Sequence, residues 1–300
     1  MSEQIKIKNI VWWHITRPTE KDLTEIQKTV RLHHLILEEL TTVSDRSKVE
    51  AYDDYVYIVY HLPIWNAKER TSRRGELDIV VTKKMVVSVS YENLEPLEQF
   101  RKDVTEKLAN KIASPAELVH FLLQEMNTFS LRELRHVEEK TKAVGRQIFK
   151  HADAALLEEI SYVKRDILDL GIIAASQKTT LESLVEVGAK FWGEGTRIYF
   201  TDLLGSFLRV HYLLENLRAT IISYSETVSQ IFQLKTSDVV RRFSILGFLT
   251  FPLLLYATIA LQPTVAPSFV QNPADFWIIF GAIFVVVIGL AIFFRKKGWF

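Results

Sequence analysis

The chain has 300 residues, 48% hydrophobic and 24% charged, with a formal net charge of +1. So balanced a charge gives no support to a protein that holds nucleic acid on a basic surface, and the charged fraction excludes wholesale disorder. The lack of any cysteine removes disulfide scaffolds, thiolate metal sites, cysteine nucleophiles and thiol redox switches, and a mean hydropathy of +0.08 despite the charges means that the apolar residues are concentrated somewhere.

Residues 1–112 mix strand and helix signals. Ile7–Ile15, Tyr55–Leu62, Glu76–Thr82 and Met85–Tyr91 are rich in Val, Ile and Tyr and bounded by turn residues, which predicts strands. Glu20–Leu40 and Leu94–Ala113 have helical periodicity. The expected result is an α/β domain in which helices cover a small mixed sheet. No glycine-rich phosphate loop, HExxH or GxSxG motif occurs in it, so the chain does not read as an enzyme.

Residues 113–242 read as a stalk of long helices. Leu156, Ile160, Val163, Ile167, Leu170 and Ala174 alternate spacings of four and three. Leu203, Phe207, Val210, Leu214, Leu217, Ile221, Tyr224, Val228 and Ile231 repeat the pattern for longer, as a coiled-coil-like seam does. No glycine or proline interrupts residues 206–242, which predicts one helix from about Thr201 into the apolar segment beyond, roughly 90 Å long. A stripe of this kind serves either as intramolecular core or as a seam between subunits, and both readings stand at this point.

Residues 243–300 carry the concentrated apolar content. Phe243–Leu261 and Phe276–Phe294 are uncharged runs of nineteen residues each, about 28 Å as helices and close to the thickness of a bilayer's hydrocarbon core. Arg241 and Arg242 precede the first span, and Arg295, Lys296 and Lys297 follow the second, whereas the connecting segment 262–275 holds no basic residue. The positive-inside rule then gives a multi-pass protein of the plasma (inner) membrane, with both termini and the tail 295–300 cytoplasmic and the loop 262–275 external. Two spans cannot enclose a polar path, so any transport requires several copies around an axis. The eight histidines include no HxxxH pair. His33 and His34 are adjacent and should point different ways on a helix, and His120 and His136 are too far apart on one helix to share an ion. No structural zinc site is expected within a subunit, while one built between subunits stays open.

The layout and several segments together resemble the CorA family of divalent-cation channels, from Trp13 to the end of the chain. HHLILEELTTVSDRSKVEAYDDYVYIVYHLP (His33–Pro63) is similar to the family's LxLED, RxKVE and DYVFIV segments, and ELDIVVTKKMVVSVSYE (Glu76–Glu92) to its next two strands. LKTSDVVRRFSILGFLTFPLLL (Leu234–Leu255) resembles the family's entry into its first membrane helix, and RKKGWF (Arg295–Phe300) its basic, aromatic tail. The resemblance implies a pentameric funnel: an α/β cytoplasmic domain, a long-helix stalk, two C-terminal transmembrane helices and an axial pore lined by the first of them. The implied partners are further copies of the chain, the lipid bilayer and metal ions, with no nucleic acid. The resemblance also implies no covalently bound cofactor and a divalent cation, Mg2+, Zn2+, Co2+ or Ni2+, as the candidate substrate.

By the same resemblance, Ser237 and Val240 would line the cytoplasmic pore entrance, Phe243, Gly247, Phe251 and Leu254 the gate, and Thr258, Leu261, Gln262 and Pro263 the filter. The family's Gly-Met-Asn triplet would fall on Leu261, Gln262 and Pro263 and is absent. Gln262 keeps a side-chain amide there, and Asp275 is the loop's single acid, which implies selectivity altered from that of Mg2+ channels carrying the triplet. Rings of Phe243, Phe251 and Leu254 read either as a gate that closes by dewetting or as helix packing. The family's regulatory metal would be held at Glu39, with Glu38 beside it. Its partner acid aligns with Ala219, with Glu226 further along as a partial substitute. Glu38 and Glu39 equally read as solvated helix acids. The alternative function is a non-conducting membrane scaffold or sensor with the same fold.

Overall fold

A computed structural model describes residues 2–150, 153–260 and 272–299. The chain parts into two compact units, Met1–Ser225 and Glu226–Phe300.

The first unit is built on a six-stranded sheet of β1 (Ser2–Ile7), β2 (Ile10–Thr16), β3 (Lys48–Ala51), β4 (Tyr55–Asn66), β5 (Thr71–Thr82) and β6 (Met85–Ser90), in the order β1-β2-β6-β5-β4-β3. All pairs are antiparallel except β2 with β6, which run parallel from Val11↔Met85 to Thr16↔Ser90. The sheet is mixed, as expected, but the strand expected over Ile7–Ile15 is two strands. The chain reverses at Lys8, where φ is +50°, and SEQIKI pairs back on β2 as an edge whose alternate residues stay in solvent. The short β3 gave no signal in the sequence, and the β4–β5 hairpin runs on at its tip to Asn66 and Thr71.

Helices α1 (Glu20–Thr29) and α2 (His34–Glu39) replace the single helix expected over Glu20–Leu40. A capping box between Thr19 and Asp22 starts α1, and Val30 ends it in extended backbone. The gap stays ordered because side chains supply the missing backbone partners. The Gln27 amide accepts from Leu32 N and donates to Leu32 O, at 2.9 and 3.1 Å, and Tyr55 Oη accepts from His33 N at 3.0 Å. These two helices cover one face of the sheet, closing a core of Trp13, Ile15, Ile26, Ile36, Leu40, Tyr57, Val59, Val80, Val87 and Val89.

The other face meets α3 (Glu95–Asp103) and α4 (Pro115–Gln147). Trp12 packs edge-on against Phe100 at 5.2 Å, and Tyr60 Oη bonds Asn127 at 3.2 Å. With both faces covered, β4 is buried at every position from Tyr55 to Pro63. The helix expected to run to Ala113 changes at Val104 into a π-helical turn ending at Leu108.

Helix α5 (Ala154–Trp192) buries Leu156, Ile160, Val163, Ile167, Leu170 and Ala174. It clamps the β4–β5 hairpin through Asp166, which is 1% exposed and accepts from Ser72 N and Oγ at 2.9 Å each. Gly193 stops α5 with φ +100°, a conformation that disfavours any side chain, and a short 3-10 turn leads into α6 (Arg197–Ala260). Helix α6 thus starts four residues before Thr201. Leu203, Phe207, Val210, Leu214, Leu217 and Ile221 are all buried within one chain. That part of the stripe is intramolecular core.

In the second unit the C-terminal part of α6 packs on α7 (Pro273–Lys296). Both helices are long and apolar enough to cross a membrane, and the apolar windows are 6% and 0% buried, unlike core helices of a soluble protein. A capping box of Asn272 and Asp275 starts α7 three residues before the expected Phe276.

Candidate functional site

The uncharged run of α6 has two faces of different character. Ile245 and Leu249 are buried, at 4% and 9% exposure. One turn and more beyond, the Tyr256 ring lies tilted against Phe276 and Phe280, its hydroxyl donating to the Phe276 carbonyl at 2.9 Å. Phe248 meets Phe294 edge-on at 6.3 Å. These contacts fix which side of α6 the second helix covers.

The sequence-selected positions lie on the other side. At 3.6 residues per turn Ser237, Val240, Phe243, Gly247, Phe251, Leu254 and Thr258 fall within an arc of about 120°, opposite the arc of Ile245, Leu249 and Tyr256. All seven are exposed. Leu261, Gln262 and Pro263 lie outside the described residues. Chemically the bare face is poor in ligands. From Phe243 to Thr258 it offers no charge, and the Thr258 hydroxyl donates to Leu254 O at 2.8 Å, leaving only its lone pairs outward. Such a surface does not strip water from a hard cation, which needs several oxygen ligands. It can repel water when copies of it face one another closely.

Basic side chains bracket this segment. Arg241 is ion-paired with Asp238, and Lys297 lies 5.3 Å from the ring centres of both Phe293 and Trp299. Trp299 folds back to stack on Phe294 at 5.6 Å through a turn at Gly298, φ +69°.

The suspected regulatory acids behave differently from one another. Glu38 is exposed. Glu39 is turned inward, and Lys48 Nζ lies 2.9 Å from its carboxylate and 3.1 Å from that of Glu50. An ammonium therefore already stands between the two carboxylates, at the edge of a cavity of about 570 Å³ lined by Ser44, Ser47, Thr179 and Thr180 among others. Among the described residues no group of three or more His, Asp or Glu side chains is placed to hold a metal ion. The His33 and His34 rings, expected to diverge, lie 4.3 Å apart, because His33 is the extended N-cap of α2 rather than a helical residue.

Several buried polar groups were not singled out from sequence. His14 is 7% exposed, with Nδ1 and Nε2 each 3.0 Å from a hydroxyl, of Ser88 and Thr16; burial lowers its pKa to about 4. Glu76 and Asp78 are 3% and 0% exposed on the α1/α2 side of the sheet. Burial, with the Glu76 charge beside it, pushes the Asp78 carboxyl well up from its ordinary range. The available signal was their spacing: two acids at i and i+2 on a strand share a face, here the core face.

The protein family described as "CorA-like Mg2+ transporter protein" matches residues 8–296. Over 295 residues the chain is 18% identical to the cobalt/magnesium transport protein CorA of Thermotoga maritima, covering 96% of this chain and 83% of the relative. It is also 18% identical over 301 residues to the putative metal ion transporter YfjQ of Bacillus subtilis, covering 99% and 93%. The complete structure of the CorA magnesium transporter from Methanocaldococcus jannaschii superposes with a TM-score of 0.81 at 15% identity, covering 99% of this chain and 93% of that one. At that identity the superposition carries the fold: an N-terminal α/β unit, a long helix and a C-terminal apolar helix.

Proposed function

Because the chain belongs to the CorA family, we propose that it moves divalent metal cations across the inner membrane through a homopentameric pore lined by α6. Its named relatives are transport proteins rather than enzymes. The observation that carries the reading is the arc of Ser237 to Thr258, which the chain's own packing leaves bare while α7 occupies the opposite arc. In this proposal Ser237 and Val240 form the cytoplasmic entrance, Phe243, Gly247, Phe251 and Leu254 the gate, and Thr258, Leu261, Gln262 and Pro263 the filter. Residues 1–112 and 113–242 are the cytoplasmic domain and stalk, residues 243–300 the membrane domain, and both termini face the cytoplasm.

Selectivity is altered because Leu261-Gln262-Pro263 stands where the Gly-Met-Asn triplet belongs. Regulation by a metal at Glu38 and Glu39 would require Lys48 to leave Glu39. The apolar character of Phe243, Phe251 and Leu254 supports a second reading, a scaffold or sensor that does not conduct.

Flux into proteoliposomes of Mg2+, Zn2+, Co2+ and Ni2+ separates the two readings. Transport of at least one ion is expected, with Phe251→Ala faster than the parent and Gln262→Ala altered in ion preference. Intact pentamers that pass none of the four ions, as parent or as Phe251→Ala, would overturn conduction and leave the scaffold.

A further inference from the structure

A chain of hydrogen bonds ties α2 to the sheet through a group that the proposed transport does not use. Tyr91 Oη lies 2.7 Å from Asp78 Oδ2 and 3.1 Å from the backbone carbonyl of Glu39 at the end of α2. A phenol has one proton, and a carbonyl oxygen can only accept. If the Tyr91 proton goes to the carbonyl, the Asp78 contact needs a proton from Asp78. Beside it, both oxygens of Glu76 accept from Ser44 N at 2.9 Å, and this amide belongs to the segment joining α2 to β3. The two acids thus hold the same stretch of chain at two points.

The surroundings supply no cation to Asp78. From β4, the buried Tyr57 hydroxyl is turned toward Asp78 as a second phenol beside Tyr91, and it brings no charge. His61 Nε2 lies 3.3 Å from Glu76 Oε2, while its Nδ1 is 3.2 Å from Ser176 Oγ on α5. From α2 comes Glu39, and from β3 come Lys48 and Glu50. Lys48 is committed to those two acids and otherwise lies over the Tyr57 ring, 5.3 Å from its centre. An ionised Asp78 would face Glu76 and Glu39 with no positive partner of its own, buried in the sheet.

We propose that Asp78 is a buried proton-binding site whose proton completes the relay Asp78–Tyr91–Glu39 carbonyl and so latches residues 40–47 onto the sheet. Loss of that proton turns the Tyr91 hydroxyl back to the carboxylate, breaks the link to α2 and sets two carboxylates against each other. The direction follows from linkage. The folded chain binds this proton more tightly than the unfolded one, so the latch is firm at low pH and weakens as pH rises through the folded-state value of Asp78. The inference does not rest on the transport proposal, and its readouts do not involve flux.

Two measurements on the full chain in lipid nanodiscs test it. An infrared titration should show the carbonyl band of a protonated carboxylic acid at neutral pH. That band should be lost in Asp78→Asn and kept in Glu76→Gln and His61→Gln. Hydrogen exchange over residues 40–47 should lose protection about tenfold per pH unit, beyond the intrinsic rate, above the ordinary carboxyl range while the latched form still holds its proton and opening releases it, and should level off once Asp78 ionises in the latched form. In Asp78→Asn, whose amide can donate to Tyr91, and in Tyr91→Phe, which has no relay to break, the protection factor should not vary with pH. A parent protein without the acid band, or with protection independent of pH, would overturn the proposal. So would pH dependence that survives in Asp78→Asn or disappears in His61→Gln.

Discussion

Acidification should destabilise the first unit through His14, and the size of the effect follows from its surroundings. The imidazole is 7% exposed and bonded to two hydroxyls, and the nearby Glu98 and Glu3 carboxylates offset only part of the effect of burial. Burial, the dominant cause, lowers its pKa to about 4, against an ordinary value of about 6.5 in an unfolded chain. The unfolded chain therefore binds the proton more readily. Stability is fully present above the unfolded value and is lost as pH falls from there toward the folded one. The interval corresponds to about 3 kcal/mol, a sizeable share of a typical domain's stability. Trp12 donates to the same Ser88 hydroxyl at 2.9 Å, so tryptophan fluorescence reports on the site. Denaturant midpoints of the full chain in detergent, measured between about pH 7 and 4, should fall in the parent and fall much less in His14→Gln. Glu125 and Glu133, whose carboxyls burial pushes up, titrate in the opposite sense, and comparison with the variant cancels them. Equal losses in parent and His14→Gln would refute the reasoning.

Asp166→Ala leaves the Ser72 amide and the Lys140 ammonium, 3.3 Å away, without their carboxylate. It should cost about 3 kcal/mol by thermal or chemical unfolding, and Asp166→Asn less. Gly188→Val puts a Cβ at 2.7 Å from the Phe200 ring, which is 1% exposed. A loss of about 1–3 kcal/mol is expected, partly recovered by Phe200→Leu in the same unfolding assay. Tyr256→Phe removes the hydrogen bond to the Phe276 carbonyl. It should weaken the packing of α6 on α7 by about 1 kcal/mol, read as a lower midpoint of the membrane unit in detergent.

What was legible in the sequence depended on repetition. Nineteen uncharged residues in a row, or a 3–4 alternation over many turns, are averages that survive single exceptions, and the membrane helices, α5 and α6 all had such a signal. The starts and ends depended on single residues. Val30 interrupts a helix that periodicity continues, and Lys8 reverses a strand that β propensity continues, because in both places tertiary partners outweigh local preference. For the positions proposed to face a pore, the sequence supplied a register only by resemblance, and exposure on α6 extends beyond it to Leu246, Phe248 and Leu255. The acids of the first unit were opaque for a different reason. Glu39 reads as a surface carboxylate until Lys48, nine residues later in sequence, is seen on it. Asp78 reads as a strand-end polar residue until both faces of the sheet are known to be covered.

The parallel pairing of β2 with β6 has a consequence for how the chain is made. Ile10–Thr16, with its two tryptophans, leaves the ribosome with only β1 to pair with. Its other edge waits for Met85–Ser90, more than seventy residues later in the register. At translation rates of about 5–20 residues per second that wait is on the order of 4–15 seconds. An apolar strand edge is open to other nascent chains throughout it. The N-terminal hairpin is therefore the segment on which a ribosome-associated chaperone has most to protect, and synthesis rate through residues 17–90 should govern how much of the protein reaches the membrane folded.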